Sequence, residues 1–494
     1  MSDIIKGIQF PIVASTKKIS TTASAKYILS SAIQSIDPHC AETMRNETNW
    51  RKNYPIHIKK TLELSLKNTK DTITIAQSGL KTAHEHFRFY RHGLSTSFKN
   101  AISQPFEKLQ THQIIGKSNS LPEWYIPYKG KQLRGQSLLN QIQLWQEKKI
   151  IEPSHAEALR KVYEHPEWLD LSDRTMVLLG AGAEIGPLSW LAKWKANIIA
   201  IDIAHLPKWT LIRQTIEKGN ATLYAPFLEN NKELGADLLT QTPEIVKWLN
   251  QFNQNLDIAA LAYLDGEKHV RVALAMDAIM QSVSEKNKNT SLMFMSTPTD
   301  IYALPISFKK EIEQQQRQRS FLEKSMTQLI SQFSCKKILH KAIFTDYSEK
   351  YTIYDGLVLQ QGPNYALAKR LQQWRALVAR HQGQCVSINV SPSTTTQSVI
   401  KNPLLQSAFN GASLFGVEAF APETTNAIMA AMWVHDLRYP KAVSQPNITL
   451  THPLDLISSG ANHGGLWRTN YTTRTVLPMA ALYGNFKNKK RAIS

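Results

Sequence analysis

The residues best suited to hold a ligand form a glycine-rich turn directly after an apolar run. The run 175–179 is followed by Gly180-Ala181-Gly182-Ala183-Glu184-Ile185-Gly186-Pro187. Gly180 permits a tight turn, Gly182 lets the backbone approach a diphosphate, and Gly186 lets the following helix pack closely. The free amides at the start of that helix would bind the anion. The segment therefore predicts a phosphate site of an adenosine nucleotide.

An acidic residue, Asp202, stands where the ribose of such a nucleotide would lie. It follows the apolar run 198–201 and comes 22 residues after Gly180. A carboxylate at the end of this second strand accepts hydrogen bonds from the ribose hydroxyls. Its charge would repel a 2′-phosphate, which favours NAD over NADP, whereas Lys208 nearby would act in the opposite direction.

A tyrosine and a lysine four residues apart could supply acid–base chemistry. In Tyr365-Ala366-Leu367-Ala368-Lys369 both side chains would lie on one face of a helix. A neighbouring ammonium group stabilises a phenolate and lowers the pKa of tyrosine from about 10. Such a phenol can donate a proton to a carbonyl oxygen, or remove one from an alcohol.

Two other tyrosines also precede a lysine by four residues. Tyr125 and Lys129 enclose a proline, and Tyr483 and Lys487 enclose Gly-Asn, so both segments are expected to be poor helices. Ala-Leu-Ala is an excellent helix former, and the Tyr365 helix is also followed by the apolar run 385–390. The context therefore selects Tyr365 and Lys369.

With this order of elements, the chain resembles the short-chain dehydrogenase/reductase superfamily from about Ser172 to Gly484. The resemblance implies a NAD(P)-binding Rossmann fold and an oxidoreductase that acts on a carbonyl/alcohol pair. Tyr365 would be the general acid/base, Lys369 would activate it and bind the nicotinamide ribose, and Ser296 would polarise the carbonyl oxygen. Cofactor contacts are implied for Gly180, Gly182, Ile185, Gly186, Asp202, Gly266, Pro392 and Thr395.

Two other functions fit parts of the pattern. A methyltransferase would use the glycine turn and Asp202 to bind S-adenosylmethionine, which leaves Tyr365 and Lys369 without a role. A non-catalytic nucleotide-binding or scaffold protein would explain Glu184, where the family has glycine. It would also explain Tyr263-Leu264-Asp265-Gly266, where the family has Asn-Asn-Ala-Gly.

The elements that must position these residues alternate between short apolar runs and amphipathic stretches from about residue 170 onward. This alternation is typical of an α/β fold with a doubly wound parallel sheet. The predicted strands are 176–179, 198–201, 221–227, 258–264, 291–295 and 385–390, and the predicted helices are 188–194, 209–218, 243–252, 269–283 and 365–380. A basic, mostly helical region, 1–165, would precede a Rossmann-like domain, 166–494, with a helical insertion at about 300–355 that includes a charged helix at 308–333.

Charge is concentrated near the N-terminus. The chain has a net charge of +19, and residues 1–150 hold 22 Lys and Arg against 10 Asp and Glu. Such a surface would attract an anionic partner such as nucleic acid or anionic lipid, or steer an anionic small-molecule substrate. The resembled family commonly forms homo-oligomers.

Cysteine usage and hydropathy bear on the compartment. Cys40, Cys335 and Cys385 are odd in number and widely spaced, which argues against a disulfide framework or a zinc module and favours a reducing compartment. No apolar stretch reaches the length of a transmembrane segment. We expect a cytoplasmic protein, and the acid-poor N-terminus is also compatible with organellar targeting.

Overall fold

The elements below come from a computed structural model of the chain. It describes residues 6–13, 16–229, 233–318, 325, 328–330, 332–334, 338–340 and 344–493, with side chains up to residue 485. Cys335 and much of the predicted helix 308–333 lie outside the described residues.

The strands are β1 (Gly7–Gln9), β2 (Ile12–Val13), β3 (Lys18–Ile19), β4 (Arg88–Arg91), β5 (Leu94–Ser97), β6 (Leu109–Ile115), β7 (Ile126–Tyr128), β8 (Lys131–Leu133), β9 (Thr175–Leu179), β10 (Asn197–Ile201), β11 (Thr222–Leu228), β12 (Leu256–Ala260), β13 (Ser291–Ser296), β14 (Ile301–Pro305), β15 (Phe344–Asp346), β16 (Tyr351–Asp355) and β17 (Val386–Val390). The helices are α1 (Thr21–Ile33), α2 (Pro38–Asn46), α3 (Trp50–Ser65), α4 (Thr69–His86), α5 (Phe98–Ala101), α6 (Gly135–Glu147), α7 (Pro153–Glu164), α8 (Leu188–Leu191), α9 (Leu206–Glu217), α10 (Thr242–Leu249), α11 (Glu267–Lys286), α12 (Ile306–Gln318), α13 (Gly362–His381), α14 (Gln397–Ile400), α15 (Pro403–Gly411), α16 (Pro422–Arg438), α17 (Asp455–Ser458) and α18 (Thr473–Ile493).

A seven-stranded, mostly parallel sheet organises the α/β fold. Its strand order is β17-β13-β12-β9-β10-β11-β6, and the first six strands pair in parallel. These six are the predicted strands. The fourth predicted strand ends earlier than expected, at Ala260, because the next two amides both turn to the Leu179 carbonyl. The order reverses at β9, which is the switch point beside which doubly wound sheets bind ligands.

Two hydrophobic cores cover the two faces of the sheet. Successive strand residues point to opposite faces, so Val177 and Leu179 belong to one core and Met176 and Leu178 to the other. The first core also holds apolar residues of α1, α3, α4, α11 and α13, and the second holds those of α6, α7, α9 and α16. Helices therefore cover both faces, and the strands read as continuous apolar runs for this reason.

The edge strand β6 comes from the N-terminal third of the chain. It pairs antiparallel with β11 along its whole length, from Leu109 opposite Leu228 to Ile115 opposite Thr222. The helix α4 from the same part of the chain lies so close to α13 that a Cβ on Gly79 would be 2.3 Å from the Trp374 ring. The proposed division at residue 165 remains a prediction.

The predicted insertion contains strands as well as a helix. β14, β16 and β15 form a three-stranded antiparallel sheet, and α12 follows β14 directly. No helix among the described residues is long and apolar enough to cross a membrane.

The segment with Tyr483 and Lys487 lies inside α18, so the expectation that it is not helical was wrong. Gly484 faces another helix at close range, and a Cβ there would lie 1.9 Å from the Ser407 carbonyl oxygen. The close packing of two helices thus outweighs the low helix propensity of glycine at this position.

Candidate active site

The predicted site residues follow the carboxyl ends of the parallel strands, which meet at one edge of the sheet. The glycine turn follows β9, Asp202 follows β10, and Ser296 ends β13. Helix α13 joins the insertion to β17 and carries Tyr365 and Lys369 in its first two turns.

Gly180 has the backbone conformation that the turn requires. Its φ is +97°, and a Cβ built on it would lie 2.7 Å from the Ala262 backbone. Its own amide donates to the Ile201 carbonyl at 2.8 Å. A side chain here would push the turn away from the residues that follow β12, so glycine is needed for this close approach.

Asp202 is already engaged by groups of the protein itself. Its Oδ2 accepts the Gly182 amide at 2.8 Å, and its Oδ1 accepts the Ile203 amide at 2.9 Å and Lys208 Nζ at 2.7 Å. The Lys208 side chain also covers Gly182, because a Cβ there would lie 2.7 Å from Lys208 Cδ. Ribose hydroxyls would reach this carboxylate only after Lys208 moves aside.

The segment after β17 is tied to the glycine turn. The Gln397 amide donates to both carboxylate oxygens of Glu184, at 3.1 and 3.0 Å. Asn426 on α16 accepts the Gly186 amide at 2.9 Å and donates to the Glu184 carbonyl at 3.1 Å. Among the described residues, the amides of Glu184 and Ile185 have no hydrogen-bond partner. These two N–H groups remain available to an anion.

Tyr365 and Lys369 lie together against the end of β13. Lys369 Nζ donates to the Met295 carbonyl at 3.0 Å and lies 5.7 Å from the centre of the Tyr365 ring. The side chain of Thr297 lies close enough to the Tyr365 hydroxyl to lower its pKa, and the Thr297 hydroxyl is 2.8 Å from that of Thr299. The structure thus places Tyr365 and Lys369 together at the carboxyl end of β13, and their catalytic role stays a prediction.

Ser296 faces away from this pair. It is 3% exposed and lies beside Tyr302, whose hydroxyl donates to the Thr297 carbonyl. The next residue, Thr297, is half-buried and supplies the hydroxyl beside Tyr365. Adjacent residues of a strand end point in different directions, so one step along the chain decides which hydroxyl reaches the phenol.

Burial keeps the Tyr365 phenol protonated. Burial raises the pKa of Tyr365 well above its ordinary value, against the hydrogen bond with Thr297, which lowers it. Burial also lowers the pKa of Lys369 to about 8, although Asp300 draws it upward. Asp300 is itself buried and paired with Arg370. At neutral pH the phenol is therefore protonated, and the expectation that Lys369 lowers its pKa was wrong, because burial outweighs any effect of the ammonium group.

An unpartnered histidine packs on the phenol ring. His269 is 2% exposed and stacks on Tyr365 with a ring-centre distance of 5.5 Å, and Tyr263 contacts both rings. Neither ring nitrogen of His269 has a hydrogen-bond partner among the described residues. Burial lowers the pKa of His269 to about 3, and Lys369 adds to this effect, so the ring is neutral.

The recess beside Tyr365 is narrow. It lies between Thr299, Leu357 and Gly362 on one side and Tyr365 and Lys369 on the other, and it leaves no room for a water-sized molecule. A substrate would require Leu357 or its neighbours to move.

The other implied cofactor residues lie on turns at the same edge. Gly266 has a φ of +63° and caps α11, with open space where a Cβ would be. The Thr395 amide and hydroxyl both donate to the Phe420 carbonyl, at 2.9 and 3.1 Å. The Pro392 carbonyl accepts the Thr394 hydroxyl at 2.9 Å. The turns that contain Pro392 and Thr395 are held by hydrogen bonds within the protein. Whether these residues contact a cofactor stays a prediction.

Sequence reasoning missed three residues at this edge: Thr297, His269 and Asn426. Thr297 follows Ser296 directly, and its position was the one available signal for it. His269 and Asn426 sit within predicted or apolar helices, and their partners are distant in sequence, so no local pattern marks them.

Comparisons with known proteins yield little similarity beyond the type of fold. No protein-family model matches the chain, and no curated protein sequence matches it. A solved structure with some similarity is a short-chain type dehydrogenase/reductase from Mycobacterium marinum. It shares 12% identity with a TM-score of 0.32, and the match covers 61% of this chain and 98% of that chain.

Proposed function

We propose that the protein is an NAD(P)-dependent oxidoreductase that reduces a carbonyl group to an alcohol. The observation that carries the proposal is the convergence of Tyr365, Lys369 and Thr297 at the carboxyl end of β13. A phenol, an ammonium group and a hydroxyl at the ligand-binding edge of a doubly wound sheet are the groups that protonation of a carbonyl oxygen needs.

The protonation state of these groups fits reduction. The Tyr365 O–H would donate its proton to the carbonyl oxygen, and the Thr297 hydroxyl would hold that oxygen beside it. Lys369, with a pKa of about 8, would return a proton to the resulting phenolate. The bound nicotinamide supplies the hydride that the carbonyl carbon receives.

The glycine turn has groups that fit a dinucleotide. The unpaired amides of Glu184 and Ile185 would bind the diphosphate, and Asp202 the adenosine ribose. Lys208 beside Asp202 would offset the repulsion of a 2′-phosphate, so NADP is as compatible with these contacts as NAD.

A non-catalytic nucleotide-binding or scaffold protein is the second candidate. It is favoured by the narrow recess and by the amides of Gly182 and Gly186, which are already bonded to side chains.

Ligand-induced thermal stabilisation separates the candidates. Melting temperatures of the full chain are measured with NADH, NADPH and S-adenosylmethionine, since a ligand that binds the native state raises the melting temperature. The oxidoreductase proposal expects a rise with NADH or NADPH. A rise with S-adenosylmethionine alone would indicate a methyltransferase, and no rise with any of them would favour the scaffold.

The role of the phenol is tested with Tyr365→Phe, with aldehydes and ketones screened by NAD(P)H absorbance. We expect this variant to lose about 10²- to 10⁴-fold in turnover, the usual contribution of a general acid, with cofactor binding retained. Tyr483→Phe is the matched control, because Tyr483 is 41% exposed and also precedes a lysine by four residues. Equal activity of the two variants would contradict the assigned role.

A further inference from the structure

A basic cleft lies at the opposite edge of the sheet from Tyr365. It has a volume of about 270 Å³ and opens between α4, α11 and the last turns of α13. Lys81, Lys99, Lys288 and Arg375 line it, and Glu285 is the acidic residue of the lining. Gln384, which precedes β17, donates to the Thr290 carbonyl just before β13, so the cleft is at the amino ends of these strands.

The floor of the basic cleft is a fixed network of charges. Arg375 is 6% exposed, and its Nε donates to Asp277 Oδ1 at 2.6 Å. His84 Nε2 lies 2.5 Å from Asp277 Oδ2. Burial would raise the pKa of Asp277, but Arg375 and the His84 ring outweigh it and lower this pKa to about 2. The floor is therefore rigid, with the carboxylate held ionised below the cationic lining.

Two of the three lysines at the mouth are not paired with a carboxylate in the described part of the chain. Lys81 and Lys288 are exposed and have no hydrogen-bond or ion-pair partner among the residues that the structure describes. Lys99 pairs at 3.1 Å with Glu85, and both of these side chains are largely exposed. Glu285 accepts a hydrogen bond from Gln281 at 2.8 Å. Ammonium groups from three separate segments thus border one concavity, where their mutual repulsion would be relieved by an anion.

A buried hydroxyl in the same cleft also lacks a partner. Ser284 lines the cleft and is 7% exposed, and its Oγ makes no hydrogen bond among the described residues. A buried hydroxyl without a hydrogen-bond partner destabilises the folded chain, and a ligand that accepts a hydrogen bond from it removes that cost. Rotation about its Cα–Cβ bond would let Ser284 donate to a ligand oxygen on the floor of the cleft.

We propose that the basic cleft binds the phosphoryl group of a small molecule. A phosphate dianion has enough acceptor oxygens to bind Ser284 and the lysines of all three segments at once. A single carboxylate has too few oxygens to do so. The volume is just below the lower end of the usual range for ligand pockets, about 300 Å³, so a dinucleotide is too large. The concave shape distinguishes the site from a surface that follows a nucleic acid or a bilayer. The proposal does not depend on the chemistry of Tyr365.

The test is calorimetric titration of the full chain with inorganic phosphate at constant ionic strength. We expect saturable binding to one site. The double variant Lys81→Gln/Lys288→Gln should bind at least about tenfold more weakly, since each lost contact is a hydrogen bond to a charged group. Ser284→Ala should weaken binding by a smaller factor. Glycerol phosphate should bind as inorganic phosphate does, whereas vesicles with phosphatidic acid should not bind.

The control double variant is Lys52→Gln/Lys148→Gln, which removes two exposed lysines that do not line the cleft. It should bind phosphate like the unmodified protein. Melting without phosphate checks the fold, and the Lys81/Lys288 variant should melt no lower than the unmodified protein because it loses like-charge repulsion. Absence of saturable binding, or equal weakening in both double variants, would overturn the proposal. So would vesicle or single-stranded DNA binding that requires Lys81 and Lys288 and resists competition by phosphate.

Discussion

The two ends of helix α13 differ in the open space beside them and in the number of unpaired charged groups that line it. Near its start, Lys369 donates to the Met295 carbonyl, Tyr365 packs beside it, and the recess beside them is closed. Near its end, Arg375 forms the floor of an open cleft with unpaired lysines at the mouth. The first end carries a family-like motif, and the second has groups without partners. A motif therefore indicates which chemistry is available, whereas unpaired groups in a concavity indicate where a ligand can bind without rearrangement.

The largest expected effect concerns the floor of the open end. Asp277→Asn would leave Arg375 buried without its counter-charge, and we expect a loss of about 3–5 kcal/mol in the free energy of unfolding, measured with denaturant. Asp173→Asn is the control, because Asp173 pairs with Arg438 but its side chain is 55% exposed. That change should cost about 1 kcal/mol or less. Similar losses in both variants would show that the floor is not a rigid charge network.

At the closed end, we expect a substitution that raises the free energy of unfolding. His269→Phe replaces two buried nitrogens that lack hydrogen-bond partners among the described residues with apolar atoms. The free energy of unfolding should therefore rise by about 1–3 kcal/mol. His463→Phe is a matched control, since His463 is equally buried but its Nε2 donates to Glu152 Oε1 at 2.8 Å and its Nδ1 accepts the Gly465 amide at 3.1 Å. That variant should be destabilised. A loss of stability in His269→Phe would mean that its nitrogens have partners, and the closed end would then be a polar site.

The smallest effect is a pH dependence at the closed end. The folded pKa of Lys369, about 8, lies below its ordinary value of 10.5, so protonation favours the unfolded chain. Stability should therefore rise as the pH increases from 8 toward 10.5, by about 1 kcal/mol between pH 8 and 9. Lys369→Met should lack this rise, as measured by denaturant unfolding at each pH. The same pH slope in both proteins would show that Lys369 is not desolvated by its surroundings.

Local patterns were enough to predict the six parallel strands of the main sheet and the position of the Tyr365 helix. Parallel strands buried on both faces read as apolar runs, and an Ala-Leu-Ala segment favours a helix in any context. The edge strand β6 was not predicted, because its sequence, Leu-Gln-Thr-His-Gln-Ile-Ile, is largely polar and its partner is distant.

The candidate site was predictable only in part for the same reason. The spacing of Tyr365 and Lys369 predicted that they share a helix face, but that Thr297 rather than Ser296 acts on the phenol depends on contacts between distant segments. The contact between Glu184 and Gln397 joins residues that are 213 positions apart. Interactions of this kind leave no periodicity in the sequence, so they cannot be read from it.

The antiparallel edge strand β6 has a consequence for synthesis and truncation. The ribosome completes β6 long before β11 emerges, so the strand has no sheet to join until its partner has been made. Removal of the chain up to residue 115 would expose the backbone edge of β11, which is an open template for pairing with another molecule. By pairing with β11, β6 covers an edge that could otherwise pair with another molecule. A chain shortened in this way should therefore aggregate even if its remaining helices form.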